Sequence, residues 1–369
     1  MDIFTKMDAR EIIRLRLHNT GLSDSPFKSA ADAVSHLGAI QAQDFAAAKW
    51  ALGLRIKNST EEDIEKAFNE GIILRTHVMR PTWHFVAPED IHWMLELTAP
   101  RVKTLLSRYN RKLELDDALF ARSNAAIIKA LEGHSSLTRQ ELKAVLKDTS
   151  IETNVQRLAH IIMWSELDGL ICSGPRRGKQ FTYALLEERV GKAKKLSREQ
   201  ALAKLALKYF TGHGPAQIQD FSWWSGLTVE DARDALDLVK SRLNQVTLDG
   251  KTYWFLTNTK ATSSKSPSAF LLSIYDEYVI AYRDRGYISE ARDIERMISR
   301  GNAFTSVIIL NGKVAGTWDK ALKKSTLKEN TIEIRLNPFQ QLNGEEEEAL
   351  ELEVARYGKF VGIPSILVK

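Results

Sequence analysis

The chain has 369 residues, of which 44% are hydrophobic and 27% are charged. This length predicts two to four modules rather than one core, and this composition argues against a disordered chain. The net charge of +5 is weak support for a polyanionic partner such as nucleic acid. A single cysteine, Cys172, excludes an internal disulfide, a cysteine-cluster zinc site and an iron–sulfur cluster.

The first predicted unit covers residues 1–107. Helical patterns over Asp8–His18, 29–44 and 60–76 follow one another, and Thr60 is placed to cap the third helix. The period then changes, and residues 73–86 are typical of two short strands around a turn at 79–81. Three helices followed by a β-hairpin predict a winged helix-turn-helix module.

The same order recurs twice, in residues 108–192 and 193–260. Helical patterns in the second unit precede two strand-like runs on either side of residues 174–179. The third unit ends in two strand-like runs, with Asp249-Gly250 as the turn signal. We therefore predict tandem winged helix-turn-helix modules.

A polar linker at 258–268 predicts a boundary before a C-terminal domain, residues 266–369. Strand patterns cover 270–282, 304–318 and 331–337, with Asn311-Gly312 as a hairpin signal, and an acidic helix follows at 344–362. The predicted fold class is α+β, with winged-helix modules followed by a β-rich, barrel-like domain.

The amino terminus is charged and amphipathic and has no apolar core typical of a signal peptide. No stretch approaches the ~18 apolar residues that span a bilayer. We expect no membrane partner and a cytoplasmic, nucleoid-associated location.

The first candidate site is Gln41-Ala42-Gln43-Asp44. In a helix the two glutamine side chains would point about 200° apart, whereas at a turn or helix end both could reach one cavity. The residues alone favour exposed amides beside a buried stripe that includes Ile40 and Phe45.

The second candidate is a polar cluster in the first hairpin that would line a pocket or contact phosphates. Its members are His77, Arg80, Thr82 and His84. A hairpin packed on helices, with Trp83 and Phe85 in the core, explains the same residues equally well. A zinc site is not expected, because no third ligand has recognisable spacing.

Two further groups carry charge. Arg176, Arg177 and Lys179 occupy a glycine-flanked hairpin tip, which suits phosphate contacts better than a merely solubilising turn. Asp276, Glu277 and Asp284 could be acid–base groups or, as is commoner, structural ion pairs.

Several stretches, taken in order, resemble the AlkZ/YcaQ-like crosslink-repair DNA glycosylases of the winged helix superfamily. They are QAQD at 41, RTHVMRPTWHFV at 75, HGPAQIQDFSWWSGL at 213, LLSIYDEYVIAYRDR at 271 and VIILNGKVAGTW at 307. The resemblance implies three winged-helix modules in a C-shape around a basic channel, with a C-terminal β-domain. It also implies a Gln–apolar–Gln catalytic motif at Gln41, Ala42 and Gln43, in which the glutamines position the hydrolytic water. Ala42 is smaller than the usual middle residue.

The expected function is monofunctional hydrolysis of the N-glycosidic bond of cationic alkylated purines in double-stranded DNA, such as N7-alkylguanine or interstrand crosslinks. A glutamine amide exchanges no proton near neutral pH, so it can only orient water and stabilise charge, and the leaving base must depart readily. We expect a monomer without cofactor or metal. The alternatives are a non-catalytic winged-helix DNA-binding protein or transcriptional regulator, and a metal-dependent nuclease, for which Asp276, Glu277 and Asp284 are the only weak candidates.

Overall fold

The computed structural model describes residues 7–23, 25–191, 195–256, 268–298, 305–324 and 330–368. The predicted linker at 258–268 lies outside the described residues, apart from Ser268. Among the described residues, none of the helices combines the length and the apolar character that a membrane span requires.

The first region contains four helices and a three-stranded antiparallel sheet. Its elements are α1 (Ala9–Asn19), α2 (Ala30–Leu37), β1 (Ala39–Gln41), α3 (Phe45–Gly53), α4 (Glu61–Asn69), β2 (Leu74–His77) and β3 (Trp83–Val86). The predicted cap Thr60 is confirmed, since it accepts a hydrogen bond from the first turn of α4, and Asp8 caps α1 in the same way. The predicted second helix is too long: α2 ends at Leu37, the next residue Gly38 has a φ of 80°, and the chain continues as β1 beside β3.

A long helix that the sequence reading did not identify follows this sheet. It is α5 (Pro88–Lys112), with 25 residues and Pro100 in its interior. Proline is tolerated at the first turn of a helix, but an interior proline normally signals a break.

The second region confirms the predicted order of three helices and a hairpin. Its elements are α6 (Asp117–Leu131), β4 (Leu137–Thr138), α7 (Arg139–Asp148), α8 (Val155–Leu167), β5 (Ile171–Ser173), β6 (Thr182–Leu185) and α9 (Leu186–Val190). The short β4 pairs with β6 and completes a sheet of order β4-β6-β5.

The third region also has the predicted order. Its elements are α10 (Arg198–Gly212), α11 (Ile218–Ser225), α12 (Val229–Asp237), a 3₁₀ turn (Lys240–Arg242), β7 (Leu243–Leu248) and β8 (Lys251–Leu256). Asp249 and Gly250 both have positive φ, 51° and 71°, as a two-residue type I′ hairpin turn requires. The predicted turn is therefore confirmed.

The C-terminal region is an open sheet with helices, and the class of the whole chain is α+β as predicted. Its elements are β9 (Ala269–Leu272), α13 (Glu277–Ile280), α14 (Ala291–Arg296), β10 (Val307–Leu310), β11 (Lys313–Lys323), β12 (Thr331–Pro338), α15 (Gly344–Val361) and β13 (Ser365–Val368).

Two details of the C-terminal prediction are wrong. The strand order is β13-β12-β11-β10-β9, so β9 and β13 are edges and the described strands form no closed barrel. The strand expected over 270–282 stops at Leu272, because Asp276 caps the short helix α13 by accepting a hydrogen bond from Tyr278 N–H.

Shared cores fix the position of β1. One hydrophobic core joins the first region to the C-terminal sheet, for example Ile40 with Leu271 and Ile309. Another joins β1 and α5 to the third region, whereas the second region has a core of its own. Ala39 and Ile40 belong to different cores, so β1 is held from both faces.

Candidate functional site

The Gln41–Gln43 segment is the end of a strand followed by a turn. Gln41 pairs with His84 across the sheet, and Ala42 N–H donates a 2.7 Å hydrogen bond to the Trp83 carbonyl. Gln43 and Asp44 follow, and Asp44 caps α3 by accepting from Ala47 N–H at 2.9 Å. The turn alternative from the sequence is therefore the observed one.

Gln41 is buried, with 8% of its surface exposed, and both its backbone and its side chain are held. Its N–H donates to Glu277 Oε1 at 2.8 Å, and its Oε1 accepts from Arg80 Nη2 at 3.0 Å. A guanidinium group can only donate, so the Gln41 oxygen must face Arg80. Among the described residues the Gln41 amide nitrogen has no hydrogen-bond partner.

A tight turn brings Arg80 back over Gln41. Met79 has a φ of 63°, and Arg80 N–H donates to the Val78 carbonyl at 2.7 Å, which together define a γ-turn with a positive φ. Such backbone is costly for a residue other than glycine and persists where the surroundings enforce it. Here Met79 N–H donates to Thr98 Oγ1 at 3.0 Å, and a Cβ on Gly226 would lie 2.2 Å from the Met79 carbonyl oxygen.

His84 is a neutral partner in this network. Complete burial, and then the nearby Arg80 charge, keep the pKa of His84 well below its usual value. Its Nδ1–H donates to the Thr82 carbonyl at 2.9 Å, which leaves Nε2 to accept from Arg80 Nη2 at 3.4 Å. Burial also lowers the pKa of Arg80, and the Glu277 charge opposes that shift.

Glu277 lies beneath Gln41 and is fully buried. Besides Gln41 N–H, it accepts a hydrogen bond from Trp224 Nε1 at 3.0 Å. Its neighbour Asp276 forms a buried bidentate ion pair with Arg55, both contacts being 2.8 Å. Asp276 therefore fits the structural ion-pair interpretation, and Glu277 joins the third and C-terminal regions to the end of β1.

Asp284 lies apart from these two residues and pairs with Lys251, a contact that lowers the pKa of Asp284 against the effect of burial. No group of three histidine, cysteine, aspartate or glutamate side chains with metal-binding geometry occurs in the part of the chain that the structure describes.

The predicted hairpin cluster is divided between the two faces of its sheet. Arg80 and His84 meet Gln41, with Thr82 beside them. His77 lies on the other face, where its Nδ1 contacts the Glu166 carboxyl group on α8 and its ring lies 4.1 Å from Trp83. His77 thus joins the first region to the second.

Gln43 differs from Gln41 because it is exposed. Its Oε1 accepts from Trp83 N–H at 3.3 Å, and its side chain lines a cavity of about 450 Å³ between the first sheet and the β5–β6 hairpin. We call it the Gln43 cavity; its walls are Gln43, Arg75, Trp83, Thr138, Arg139, Gln140, Lys179, Gln180, Phe181 and Tyr183. Gln41 is not one of these residues, so the structure does not bring both glutamines into this cavity.

The basic hairpin tip is only partly free. Arg176 contacts Glu65 at 3.1 Å and donates its backbone N–H to Asn69 Oδ1. Arg177 pairs with Glu141 at 2.7 Å. Lys179 is exposed, lines the Gln43 cavity and has no ion-pair partner among the described residues.

Arg75 is the main residue of this site that the sequence reading did not select. It is 4% exposed and lies over Trp83 and Phe181, its guanidinium carbon being 4.3 and 4.6 Å from the two ring centres. Strand alternation puts Arg75 on the same face of the hairpin as His77, and this is the sequence signal that could have identified Arg75 as a site residue. Its proximity to Phe181 and Arg139 depends on tertiary packing that no local pattern indicates.

Comparison with known proteins identifies the family. A model of the AlkZ-like DNA glycosylases matches residues 34–360. The chain belongs to this family. Its members are hydrolases that act on N-glycosyl bonds in DNA, and the matched range contains Gln41, Gln43, Arg80 and Glu277.

The similarity to known relatives extends over almost the whole chain. The chain is 22% identical to the interstrand DNA cross-link repair glycosylase of Streptomyces sahachiroi, over 99% of each protein. The solved structure of the Streptomyces sahachiroi DNA glycosylase AlkZ matches with a TM-score of 0.80 at 22% identity, covering 99% of this chain and 100% of that one. The two proteins therefore share the α+β fold of the AlkZ-like family.

Proposed function

We propose that this AlkZ-like glycosylase removes cationic alkylated purines, N7-alkylguanine in particular, from double-stranded DNA and leaves an abasic site. The observation that carries the proposal is the exposed Gln43 side chain, which faces an open, cation-lined cavity from the end of a rigidly held strand. An amide can orient water but cannot accept its proton near neutral pH. Such a site suits a base that leaves readily, and N7-alkylguanine already carries a positive charge.

The two glutamines have different parts in this proposal. The Gln43 carbonyl oxygen directs a water molecule toward the sugar carbon and faces the positive charge that develops there. Gln41 positions the turn from which Gln43 extends, because Glu277 holds its backbone and Arg80 holds its side chain.

Asp44 supplies negative charge beside Gln43. One carboxyl oxygen caps α3, and the other has no partner among the described residues. A carboxylate here would stabilise both the cationic lesion and an oxocarbenium-like sugar. Because asparagine caps helices as well as aspartate does, Asp44→Asn should lower the rate of base release without destabilising the protein.

The fold supports a DNA-binding role for the individual regions. Three successive units, which we divide at 1–107, 108–192 and 193–260, each place helices before a β-hairpin. We propose that each is a winged helix-turn-helix module, that residues 266–369 form the fourth domain, and that the chain acts as a monomer.

Interstrand crosslinks are the second substrate that we propose. The Streptomyces sahachiroi relative is named for crosslink repair. Gln43 is exposed at the cavity surface, so a bulky lesion joined to the opposite strand can approach it without complete extrusion into an enclosed pocket.

The test uses a duplex with one N7-methylguanine, incubated with the protein and then heated in alkali to break the strand at abasic sites. We expect breaks only after alkali, since no lysine nucleophile is involved, and none with Gln43→Ala. A duplex joined through the N7 atoms of two guanines should separate into single strands in a denaturing gel.

A known alkyl-purine glycosylase serves as the positive control in the same assay. If it releases N7-methylguanine while this protein, folded and bound to DNA, releases neither the methylated nor the crosslinked base, the substrate proposal is wrong. Equal activity of the Gln43→Ala variant would instead show that the catalytic site lies elsewhere.

A further inference from the structure

The Gln43 cavity contains a buried cation, Arg75, that forms no ion pair with any described residue. Arg75 uses Nε to donate to the Ala42 carbonyl at 3.0 Å, and its two terminal nitrogens have no hydrogen-bond or ion-pair partner among the described residues. Burying a cation without a partner is costly. Burial accordingly lowers the pKa of Arg75 to about 10, a value at which the group is still protonated near neutral pH.

The surrounding walls add to this positive character. Arg139 and Lys179 also line the cavity, and none of its lining residues is acidic. The Tyr183 hydroxyl has no hydrogen-bond partner in the part of the chain described, and burial raises its pKa, so it remains a donor. The nearest carboxylates, Glu166 and Asp44, raise the pKa of Arg75 through their charges, but neither forms an ion pair with it. Glu166 contacts His77, and one Asp44 oxygen caps α3.

We propose that the Gln43 cavity is a binding site for one phosphodiester group of the DNA strand that carries the lesion. Arg75 provides two parallel N–H donors, and Lys179 and Arg139 provide further positive charge. This inference rests on the DNA substrate of the family and deepens the proposed function, since it states how the strand is held beside Gln43.

The geometry favours a phosphate over a base. Arg75 covers one face of Trp83 and one face of Phe181. His77 lies 4.1 Å from the Trp83 ring and Arg176 lies 5.1 Å from the Phe181 ring, so both rings already have packing partners in place of a nucleobase. A planar guanidinium held between two rings has a fixed orientation, which suits the bidentate recognition of phosphate oxygens. Because Arg75 also contacts Ala42, between the two glutamines, a bound phosphate would set the register of the sugar relative to Gln43.

The experiment measures binding to a duplex with a stable abasic-site analogue at the lesion position. Single phosphates on either side are replaced in turn by neutral methylphosphonates. For the unaltered protein we expect one position, or two adjacent ones, at which the replacement weakens binding about tenfold, as for a charge-assisted contact of ~1.5 kcal/mol.

The variants then locate that phosphate. In Arg75→Gln and Lys179→Gln the sensitive position should lose its effect, while other positions keep theirs. Lys179→Gln also tests the proposal if Arg75→Gln does not fold, since Lys179 is exposed. Each variant should also flatten the plot of log affinity against log salt by about 0.9. Lys359→Gln, an exposed lysine on α15 that does not line the cavity, is the matched control and should retain the pattern of the unaltered protein.

The proposal is overturned if the methylphosphonate pattern is the same in Arg75→Gln, Lys179→Gln and the unaltered protein. This result is independent of catalysis, because the duplex contains no scissile base. A protein that fails to release N7-methylguanine can still pass the binding test, and an active glycosylase can fail it.

Discussion

The two sides of the Gln41–Gln43 turn have opposite properties. On one side Gln41, His84 and Glu277 are buried and Arg80 is half-buried, and Gln41 forms hydrogen bonds with both Arg80 and Glu277. On the other side Gln43 is exposed, and the cations around it include Arg75 and Lys179, which have no acidic partner among the described residues.

This difference indicates which groups stabilise the site and which are available to bind a ligand. A buried polar network is stable only when its members satisfy one another, and it then fixes a unique geometry. Polar groups left without protein partners on an open surface are available to substrate. Sequence proximity alone would have assigned the same role to Gln41 and Gln43, whereas their environments separate them.

The first prediction concerns the rate of base release. Gln43→Ala should reduce the rate of base release by about 10²–10³-fold, the usual cost of losing one group that stabilises transition-state charge. The free energy of unfolding should hardly change, because Gln43 is exposed. Single-turnover rates on the N7-methylguanine duplex, together with urea unfolding, measure both quantities.

Gln41→Ala is the matched variant and should behave in the opposite way. It leaves an Arg80 donor without its acceptor, which should cost about 1–3 kcal/mol of stability. Its loss of activity should be smaller than that of Gln43→Ala. The reverse ranking of rates would mean that the buried glutamine, not the exposed one, contacts the reacting atoms.

The second prediction concerns the support beneath Gln41. In Glu277→Gln, the new amide N–H₂ must face either Gln41 N–H or Trp224 Nε1–H, both of which are donors. One buried donor then remains unsatisfied, at a cost of about 1–3 kcal/mol in the free energy of unfolding. Glu348→Gln, on the exposed part of α15, removes the same charge and should stay within about 0.5 kcal/mol. Equal stability of the two variants would show that the network does not hold β1.

Much of this architecture could be predicted from local patterns, whereas the site could be predicted only in part. Thr60 and the Asp249-Gly250 turn were identified correctly because capping and turn chemistry depend on adjacent residues. The α5 helix was missed, since Pro100 in its interior is an ordinary signal for a break.

The candidate site shows more clearly that contacts between distant parts of the chain cannot be predicted from local patterns. Residues 41–43 could be selected by their resemblance to a family motif, but their burial could not be predicted. The contact of Gln41 with Glu277 joins positions 236 residues apart. The division of His77 from His84 follows from strand alternation, while their partners, Glu166 and Arg80, depend on packing between elements. In the sequence Arg75 resembles any other basic residue of a strand, because its packing against Phe181 depends on tertiary structure.

The third prediction uses the pH dependence of stability to test the buried side. The folded protein holds His84 neutral, with a pKa well below that of the unfolded chain, about 6.5. The unfolded state therefore binds more protons in the window between the two values, and stability should fall as the pH is lowered through it. The contribution of this residue is at most about 1.4 kcal/mol per pH unit.

Urea unfolding at pH 7.5 and pH 5 of the unaltered protein and of His84→Gln measures that contribution. Burial lowers the pKa of His36 and His160 too, so the difference between the two proteins, rather than the total decrease, isolates His84. An identical decrease in both proteins would mean that His84 is not held neutral by burial and Arg80.

The smallest expected effect distinguishes two cations of the same hairpin tip. Arg176 contacts Glu65 and lies over Phe45, so Arg176→Gln should cost stability, up to about 1 kcal/mol for a partly exposed pair, with little change in DNA affinity. Lys179 is exposed and has no acidic partner among the described residues, so Lys179→Gln should weaken DNA binding and leave unfolding unchanged. Arg176, Arg177 and Lys179 were predicted together as DNA contacts because they share one turn. If Arg176→Gln weakens binding as much as Lys179→Gln, the ion pair between Arg176 and Glu65 must open when DNA binds. Arg176 would then contact DNA in the complex, as Lys179 does.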